Sequence, residues 1–301
     1  MMLFCIFSFN RGRYLQNCVD SIEQCAPGAR IVVFDDSSYD EATKEVLEQL
    51  RNKHTVIQPG HNMQRRLGGL YGNMQSALDY CKDEPLVCYL QDDTQMVRPL
   101  TADDIAEINR LFDNDEKIGF ISPCFLRERN RQRDQKSMEF DASRNIYFRT
   151  GTSQSAGQNF SALLMMRPAR LLANGWQFGR SEPENDRQAK QLFGPMAYLK
   201  VPFAMWLPEV PTYRGKRKTL ALKIAEKRRQ SGFFPFRILS EDEVASLRAR
   251  DEKILPIAED FLSCLNGNPA RPWAYHPMQG SRWLQKLSSV ELALRRWFQR
   301  G

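Results

Sequence analysis

The chain has 301 residues, 42% of them hydrophobic and 26% charged, which allows one large folded domain or two smaller ones and excludes a disordered chain. Its formal net charge is +7, yet residues 214–229 alone hold eight basic side chains against the single acid Glu226, so the remainder is close to neutral. A local basic segment of that kind implies one anionic partner nearby and excludes a whole-surface nucleic-acid binder.

In chain order, residues 3–9 form an apolar run too short and too poor in basic leader residues for a targeting segment, and read as a buried first strand. Residues 13–25 follow as a helix with Leu15, Val19 and Ile22 on one stripe and Cys18 beside them. Residues 30–34 are a β-branched run suited to a strand buried on both faces. Residues 40–50 return to helix, 55–58 to strand, 70–81 to helix and 86–90 to strand. This alternation predicts parallel strands joined by right-handed crossovers, with ligands held beyond the carboxyl ends of the strands. A helix over 99–112, a strand over 118–122, a charged loop over 127–133, a buried strand over 159–166, a helix over 184–193 and a last core strand over 197–207 complete the pattern. From Gly215 onward helical patterns dominate, over 216–229, 241–264 and 281–300. The expected division is therefore 1–214, with halves of about 1–98 and 99–214, followed by a basic helical extension over 215–301. No run reaches the ~20 apolar residues of a membrane span. The seven cysteines are odd in number and form no Cys-x-x-Cys pair, which argues against a disulfide framework or structural zinc and for a cytosolic compartment.

Acidic clusters follow the expected strand ends: Asp35-Asp36-Ser37-Ser38, then Asp92-Asp93, then Glu182, Glu184 and Asp186. In a parallel sheet all of them can converge on one edge. Adjacent carboxylates repel, and a divalent cation such as Mg²⁺ or Mn²⁺, which takes one or two carboxylates plus phosphate oxygens, relieves that repulsion. Asp92-Asp93 suits such a cation, which would bridge a diphosphate and neutralise a leaving group. His54, His61 and His276 share no ligand spacing, and Gly68, Gly69 and Gly72 do not make the dinucleotide fingerprint, so a nicotinamide enzyme is disfavoured. A nucleotidyltransferase would need a Gly-rich phosphate loop that Phe7–Arg13 lacks.

The arrangement Phe9-Asn10-Arg11-x-x-Tyr14-Leu15, Asp20-Ser21-Ile22 and Val33-Phe34-Asp35-Asp36-Ser37-Ser38-x-Asp40 resembles the inverting family 2 glycosyltransferases of the GT-A fold. The likeness continues in Gly68-Gly69, Asn73, Ala77-Leu78 and Leu90-Gln91-Asp92-Asp93, and more weakly in Phe160–Met166 and Glu184-Asn185-Asp186. It extends well to about residue 100, less well to about 210, and not beyond. The resemblance implies a mostly parallel central sheet flanked by helices. It also implies transfer of a sugar, with inversion, from a nucleotide-diphosphate donor (UDP by family frequency) to a hydroxyl of a glycan or lipid-linked acceptor, as in polysaccharide synthesis.

The resemblance assigns roles residue by residue. Asp36 would contact the base or ribose, Ser8, Asn10 and Arg11 would line the same pocket, and Asp35 would orient the loop. Asp93 would hold Mn²⁺ or Mg²⁺, with Asp92 beside the ribose or diphosphate. Asp186, or else Glu184, would be the base that deprotonates the acceptor. Three positions depart from the family pattern: Gln91 replaces its first acid, Gly69 stands where some relatives carry an arginine that Arg65 or Arg66 could replace, and Tyr213-Arg214 stands where a histidine is often found. Those departures keep open a non-catalytic nucleotide- or glycan-binding scaffold of the same fold. The segment 214–229 reads as a solvated helix face or as a mobile cover over the diphosphate. The amphipathic stretch 281–300 reads as a packed helix or as one lying at an anionic membrane interface, giving peripheral contact on the inner face of the membrane.

Overall fold

A computed structural model describes residues 2–58, 69–150, 157–212 and 218–298, apart from the side chains of 296 and 298. The first strand, β1 (Leu3–Ser8), is buried throughout and alternates strictly: Phe4 and Ile6 face one layer, Leu3, Cys5 and Phe7 the other. Helix α1 (Gly12–Cys25) buries Leu15, Cys18, Val19 and Ile22, the stripe that its sequence predicts. Strand β2 (Arg30–Asp35) leads to α2 (Glu41–Arg51), whose N-cap Asp40 accepts from the Thr43 N–H at 3.0 Å. Strand β3 (Thr55–Ile57), α3 (Gly69–Tyr80), β4 (Val87–Gln91), β5 (Thr94–Met96) and α4 (Ala102–Asn114) follow. Thr101 and Asp104 close a capping box at the start of α4. Asp104 also pairs with the buried Arg98 at 2.7 Å.

The second half opens with β6 (Ile121–Ser122), a 3-10 turn (Glu128–Asn130) and α5 (Arg131–Ser137). A hairpin of β7 (Met138–Asp141) and β8 (Ile146–Arg149) precedes β9 (Leu164–Met166), α6 (Pro168–Ala173), α7 (Glu182–Leu192), β10 (Ala197–Leu199) and β11 (Ala204–Trp206). The described part beyond holds α8 (Leu220–Arg229), α9 (Glu241–Ala249), α10 (Ala258–Phe261) and α11 (Arg282–Phe298).

One nine-stranded sheet runs in the order β3-β2-β1-β4-β9-β6-β10-β8-β7. Strands β3, β2, β1 and β4 are parallel, as are β6 and β10, while β9 runs antiparallel between β4 and β6 and the β7–β8 hairpin forms the far edge. Helices α1, α2 and α4 cover one face, and α3, α7 and the Phe160–Trp176 cluster cover the other. A third apolar cluster joins Val97, Phe125, Met205 and Leu207 to Phe236, Leu247, Leu262 and Trp273. The segment 233–275 thus shares its core with the preceding chain.

Several expected elements come out shorter, for identifiable reasons. The strand expected over 159–166 is only β9, because the Asn159 and Phe160 N–H groups donate to Asp186 instead of a ladder. The strand expected over 197–207 divides at Pro202 into β10 and β11, and β11 leaves the large sheet to pair with β5. The helix expected over 241–264 divides into α9 and α10 around Pro256, which cannot donate within a helix. The charged run 127–133 is a 3-10 turn and the start of α5 rather than a loop.

Close approach of α1 to α2 fixes Gly12. A Cβ there would lie 2.7 Å from the Ala42 carbonyl oxygen and 2.8 Å from Thr43 Cα, both backbone atoms that cannot step aside. Gly12→Ala is expected to destabilise the fold by about 1–3 kcal/mol. A thermal melt matching the parent protein would show that the two helices do not need this contact.

Candidate functional site

The ladder of β1 sets the site. Ser8 pairs with Asp35, and Phe7 with Gln91, so the carboxyl ends of β2, β1 and β4 emerge side by side on one rim. The segment after β1 ties the neighbouring loops together. The Phe9 N–H donates to Asp92 Oδ2 at 3.1 Å. Asn10 takes a left-handed backbone at φ 50°, and its Oδ1 accepts from the Tyr39 and Asp40 N–H groups at 2.8 and 3.2 Å. Ser37 is left-handed too, at φ 60°. Non-glycine residues in that region cost energy and tend to collect at functional sites.

Asp35 and Asp36 are neighbours with opposite roles. Asp35 is fully buried and accepts from the Ser38 N–H, the Ser38 hydroxyl and Gln58 Nε2, so both its oxygens are spent on the loop. Asp36 is half-buried, and desolvation, followed by the charge of Asp35, raises its pKa. Its Oδ2 lies 3.4 Å from where a Cβ would stand on Gly69, which opens α3 at φ 54°. Glycine there supplies both the dihedral and the space beside the carboxylate.

Asp92 and Asp93 share one guanidinium. Arg11 Nη1 donates to Asp92 Oδ1 at 3.2 Å and to Asp93 Oδ2 at 2.7 Å. Burial raises the Asp92 pKa, the Arg11 charge opposes that shift and Asp93 adds to it. Four buried polar atoms on this rim have no partner among the described residues: Ser8 Oγ, Asn10 Nδ2, Arg11 Nε and Asp93 Oδ1. A buried polar atom left unsatisfied costs about 1–3 kcal/mol, so four in one place mark where a polar ligand would compensate the fold.

A cleft of about 480 Å³ opens beside the rim, lined by Tyr71, Gln91, Arg127, Ser161, Glu182 and Trp206 among others. Arg127 is held there between Trp206 and Tyr275, with its guanidinium carbon 4.1 and 4.5 Å from the ring centres. Glu182, at the start of α7, faces the same cleft. Desolvation raises its pKa, Arg127 opposes the rise and Asp186 adds to it. Its carboxylate makes no hydrogen bond among the described residues. On the cleft's other wall Arg149 pairs with the buried Asp134 at 3.1 Å.

The remaining sequence-derived candidates fall elsewhere. Asp186 is not on the cleft lining: its Oδ1 accepts from the Asn159 and Phe160 N–H groups and its Oδ2 from Asn159 Nδ2, at 2.9–3.2 Å. Glu184 is exposed and turned back onto the Arg180 N–H at 2.8 Å. The structure thus engages both expected acids in hydrogen bonds to their own chain, and the cleft lining holds Glu182 rather than either of them. Arg65, Arg66, His61, Tyr213 and Arg214 lie outside the described residues. Arg127 and Trp206 were missed because a charged run and an apolar strand carry no sign of a shared cleft. Glu182 was visible as part of an acidic cluster but was not separated from its neighbours.

A mixed α/β sheet with its acidic rim at the carboxyl ends of β1, β2 and β4 is the GT-A type of architecture. The chain matches the family model described as glycosyl transferase family 2 over residues 4–167, and so belongs to that family. Comparison with curated sequences gives no match. Among solved structures, S. aureus TarS is 15% identical with a TM-score of 0.44, over 67% of this chain and 36% of that one. TarS 1-349 matches with the same identity and score over 67% and 59%. A mannosyltransferase, PcManGT from Pyrobaculum calidifontis in complex with GDP-Man and Mn²⁺, is 14% identical with a TM-score of 0.42, over 97% and 74%. The chain therefore spans about a third of the length of TarS.

The contrast between the two adjacent aspartates is measurable. Asp35→Ala should cost about 1–3 kcal/mol per orphaned loop donor and lower the melting temperature clearly. Asp36→Ala should leave the melt nearly unchanged, because its carboxylate makes no hydrogen bond among the described residues. Equal melts for the two variants would contradict this division.

Proposed function

We propose that the chain transfers a sugar from a nucleotide-diphosphate donor, with UDP as the first base to test, to a hydroxyl of a glycan or lipid-linked acceptor, with inversion. The observation that carries this reading is the group of four unpartnered buried atoms on the rim. Ser8 Oγ and Asn10 Nδ2 offer a hydroxyl and an amide donor to a nucleoside, with the half-buried Asp36 carboxylate beside them as acceptor.

The acidic pair fits a divalent cation. Asp93 Oδ1 is a buried carboxylate oxygen with no partner among the described residues, the hard donor that Mg²⁺ or Mn²⁺ prefers. Asp93 would hold the ion, and Asp92, anchored by the Phe9 N–H, would stand behind it. When bound, the cation would neutralise charge on the departing diphosphate. Arg11, which bridges both carboxylates, would add fixed positive charge at the same place.

Glu182 is the proposed base, in place of Asp186 or Glu184. It takes the proton from the acceptor oxygen as that oxygen bonds to the anomeric carbon and the bond to the diphosphate breaks on the opposite face. Burial raises its pKa toward the working range of a base, while the hydrogen bonds of Asp186 make that residue a positioning group for the 159–160 turn. Arg127 is placed to meet an anionic or polyhydroxyl substrate in the cleft. A cytoplasmic location, where nucleotide sugars are made, belongs to this reading. Among the described residues no helix is long and apolar enough to cross a membrane.

One feature favours a second reading. Arg11 already neutralises the acidic pair, as a metal-independent or non-catalytic nucleotide-binding scaffold would require. Calorimetry with UDP and Mn²⁺, together with a panel of UDP-, GDP-, CMP- and dTDP-sugars assayed for transfer and slow donor hydrolysis, separates the two. Binding with no turnover of any donor would favour the scaffold.

Glu182→Gln is expected to lower kcat by about 10²–10⁴-fold while donor affinity holds. The acid limb of the kcat profile should lie above 4.5, the ordinary value for this carboxyl, because rate is lost as Glu182 is protonated and its folded-state pKa is raised. Full turnover in Glu182→Gln, alongside a folded but inactive Asp186→Asn, would return the base to Asp186. Asp93→Asn should abolish the part of UDP affinity that depends on Mn²⁺; unchanged metal dependence would remove Asp93 from that role.

A further inference from the structure

Helix α11 presents its apolar side outward. Trp283, Leu287, Val290 and Leu294 recur at the spacing of a single helical stripe and are 55, 39, 57 and 52% exposed. The line turned inward is mostly polar. Ser288 meets Thr219 at 3.0 Å, Glu291 accepts from the Leu220 N–H at 2.7 Å, and Arg295 donates to the Lys218 carbonyl at 3.1 Å. Leu284 adds an apolar contact against Ala221 and Ala225 of α8, with Met278 beside them. A helix that spends its polar groups on its own protein and leaves its apolar stripe in water lacks its partner. On α8, Leu220 and Ile224 are also exposed, at 60 and 39%.

The charge around this face selects the partner. Among the described residues the ion pairs in and beside these helices are Lys218–Glu226, Arg229–Glu209 and Arg295–Glu291. Lys223, Lys227, Arg228, Arg282 and Lys286 are exposed cations outside those pairs. At the start of α11 the stripe adjoins a cleft of about 1140 Å³, bordered by Arg129, Arg228, Arg229, Arg282 and Trp283. This cleft shares no lining residue with the one at the acidic rim. The Arg129 guanidinium lies against Gly280, where a side chain would collide with it. Glu209, the acid on its lining, is paired with Arg229 and accepts from the Ala274 N–H through Oε1, while its buried Oε2 has no partner among the described residues. Two copies of such a face would repel one another, whereas an anionic bilayer satisfies both parts.

We infer that α11 and α8 dock this protein on an anionic phospholipid surface, with the Trp283–Leu294 stripe in the headgroup–acyl boundary and lipid phosphates in the arginine cleft. The inference goes beyond the transferase reading and does not depend on it.

The test is co-sedimentation of the full chain with vesicles of 30% phosphatidylglycerol in phosphatidylcholine and with vesicles of phosphatidylcholine alone. Binding is expected to the anionic vesicles, to weaken with salt, and to fall roughly ten-fold or more in Arg282→Gln/Lys286→Gln. Leu287→Ser/Val290→Ser should lose binding at all salt concentrations, while keeping the parent far-UV spectrum and melt. No partition onto anionic vesicles overturns the proposal. So does a concentration-dependent dimer, seen by light scattering, that the Leu287→Ser/Val290→Ser variant abolishes without any vesicle binding. Occupation of the cleft by soluble inorganic phosphate with no vesicle association overturns it equally.

Discussion

Concentrated negative charge on one edge of the sheet is the constraint around which the molecule is arranged. Asp35, Asp36, Asp92 and Asp93 end up adjacent because β1 pairs with β2 on one side and β4 on the other. Carboxylates crowded in this way fold only if something answers their charge. Asp35 is answered by backbone and side-chain donors from its own loop, and Asp92 by the Phe9 N–H and Arg11. Asp36 and one oxygen of Asp93 are left with no such answer among the described residues. The stabilised members of each pair hold the loops in place, and the others face whatever enters the rim.

The same division runs through the second half of the site. Asp186 holds the 159–160 turn, Glu184 caps the turn before α7, and Glu182 is left over at the cleft. In both halves one acid in a run is spent on hydrogen bonds to its own chain, while another makes none among the described residues. Burial and hydrogen bonding decide which, and neither can be read from residue type or spacing.

That is why the fold was more legible than the site. Strands β1 and β2 are apolar, β-branched or aromatic and short, and α1 and α2 carry clean stripes, so period and composition sufficed. The elements that escaped are those set by partners distant in the chain. β5 exists because β11 comes to meet it, and β7 and β8 make an edge hairpin in a polar, charged stretch. In the site, the motif from Phe9 to Asp40 identified the rim, while Asp35 and Asp36 became distinct only once Ser38 and Gln58 were placed. Amphipathicity in α11 was plain from its sequence, but not that the apolar side would point away from the body, because that depends on Thr219, Leu220 and Lys218 binding its polar line.

The clamp on Arg127 reaches across the whole chain. Its two aromatic jaws are Trp206 and Tyr275, and Tyr275 belongs to the segment packed against Phe125 and Leu207 through the third apolar cluster. Both jaws lie after residue 167, where the match to the family ends. The acids at the ends of β1, β2 and β4, and Arg127 itself, lie within the matched residues. Exchanging residues around Tyr275 can therefore shift Arg127 without touching an acid at the strand ends.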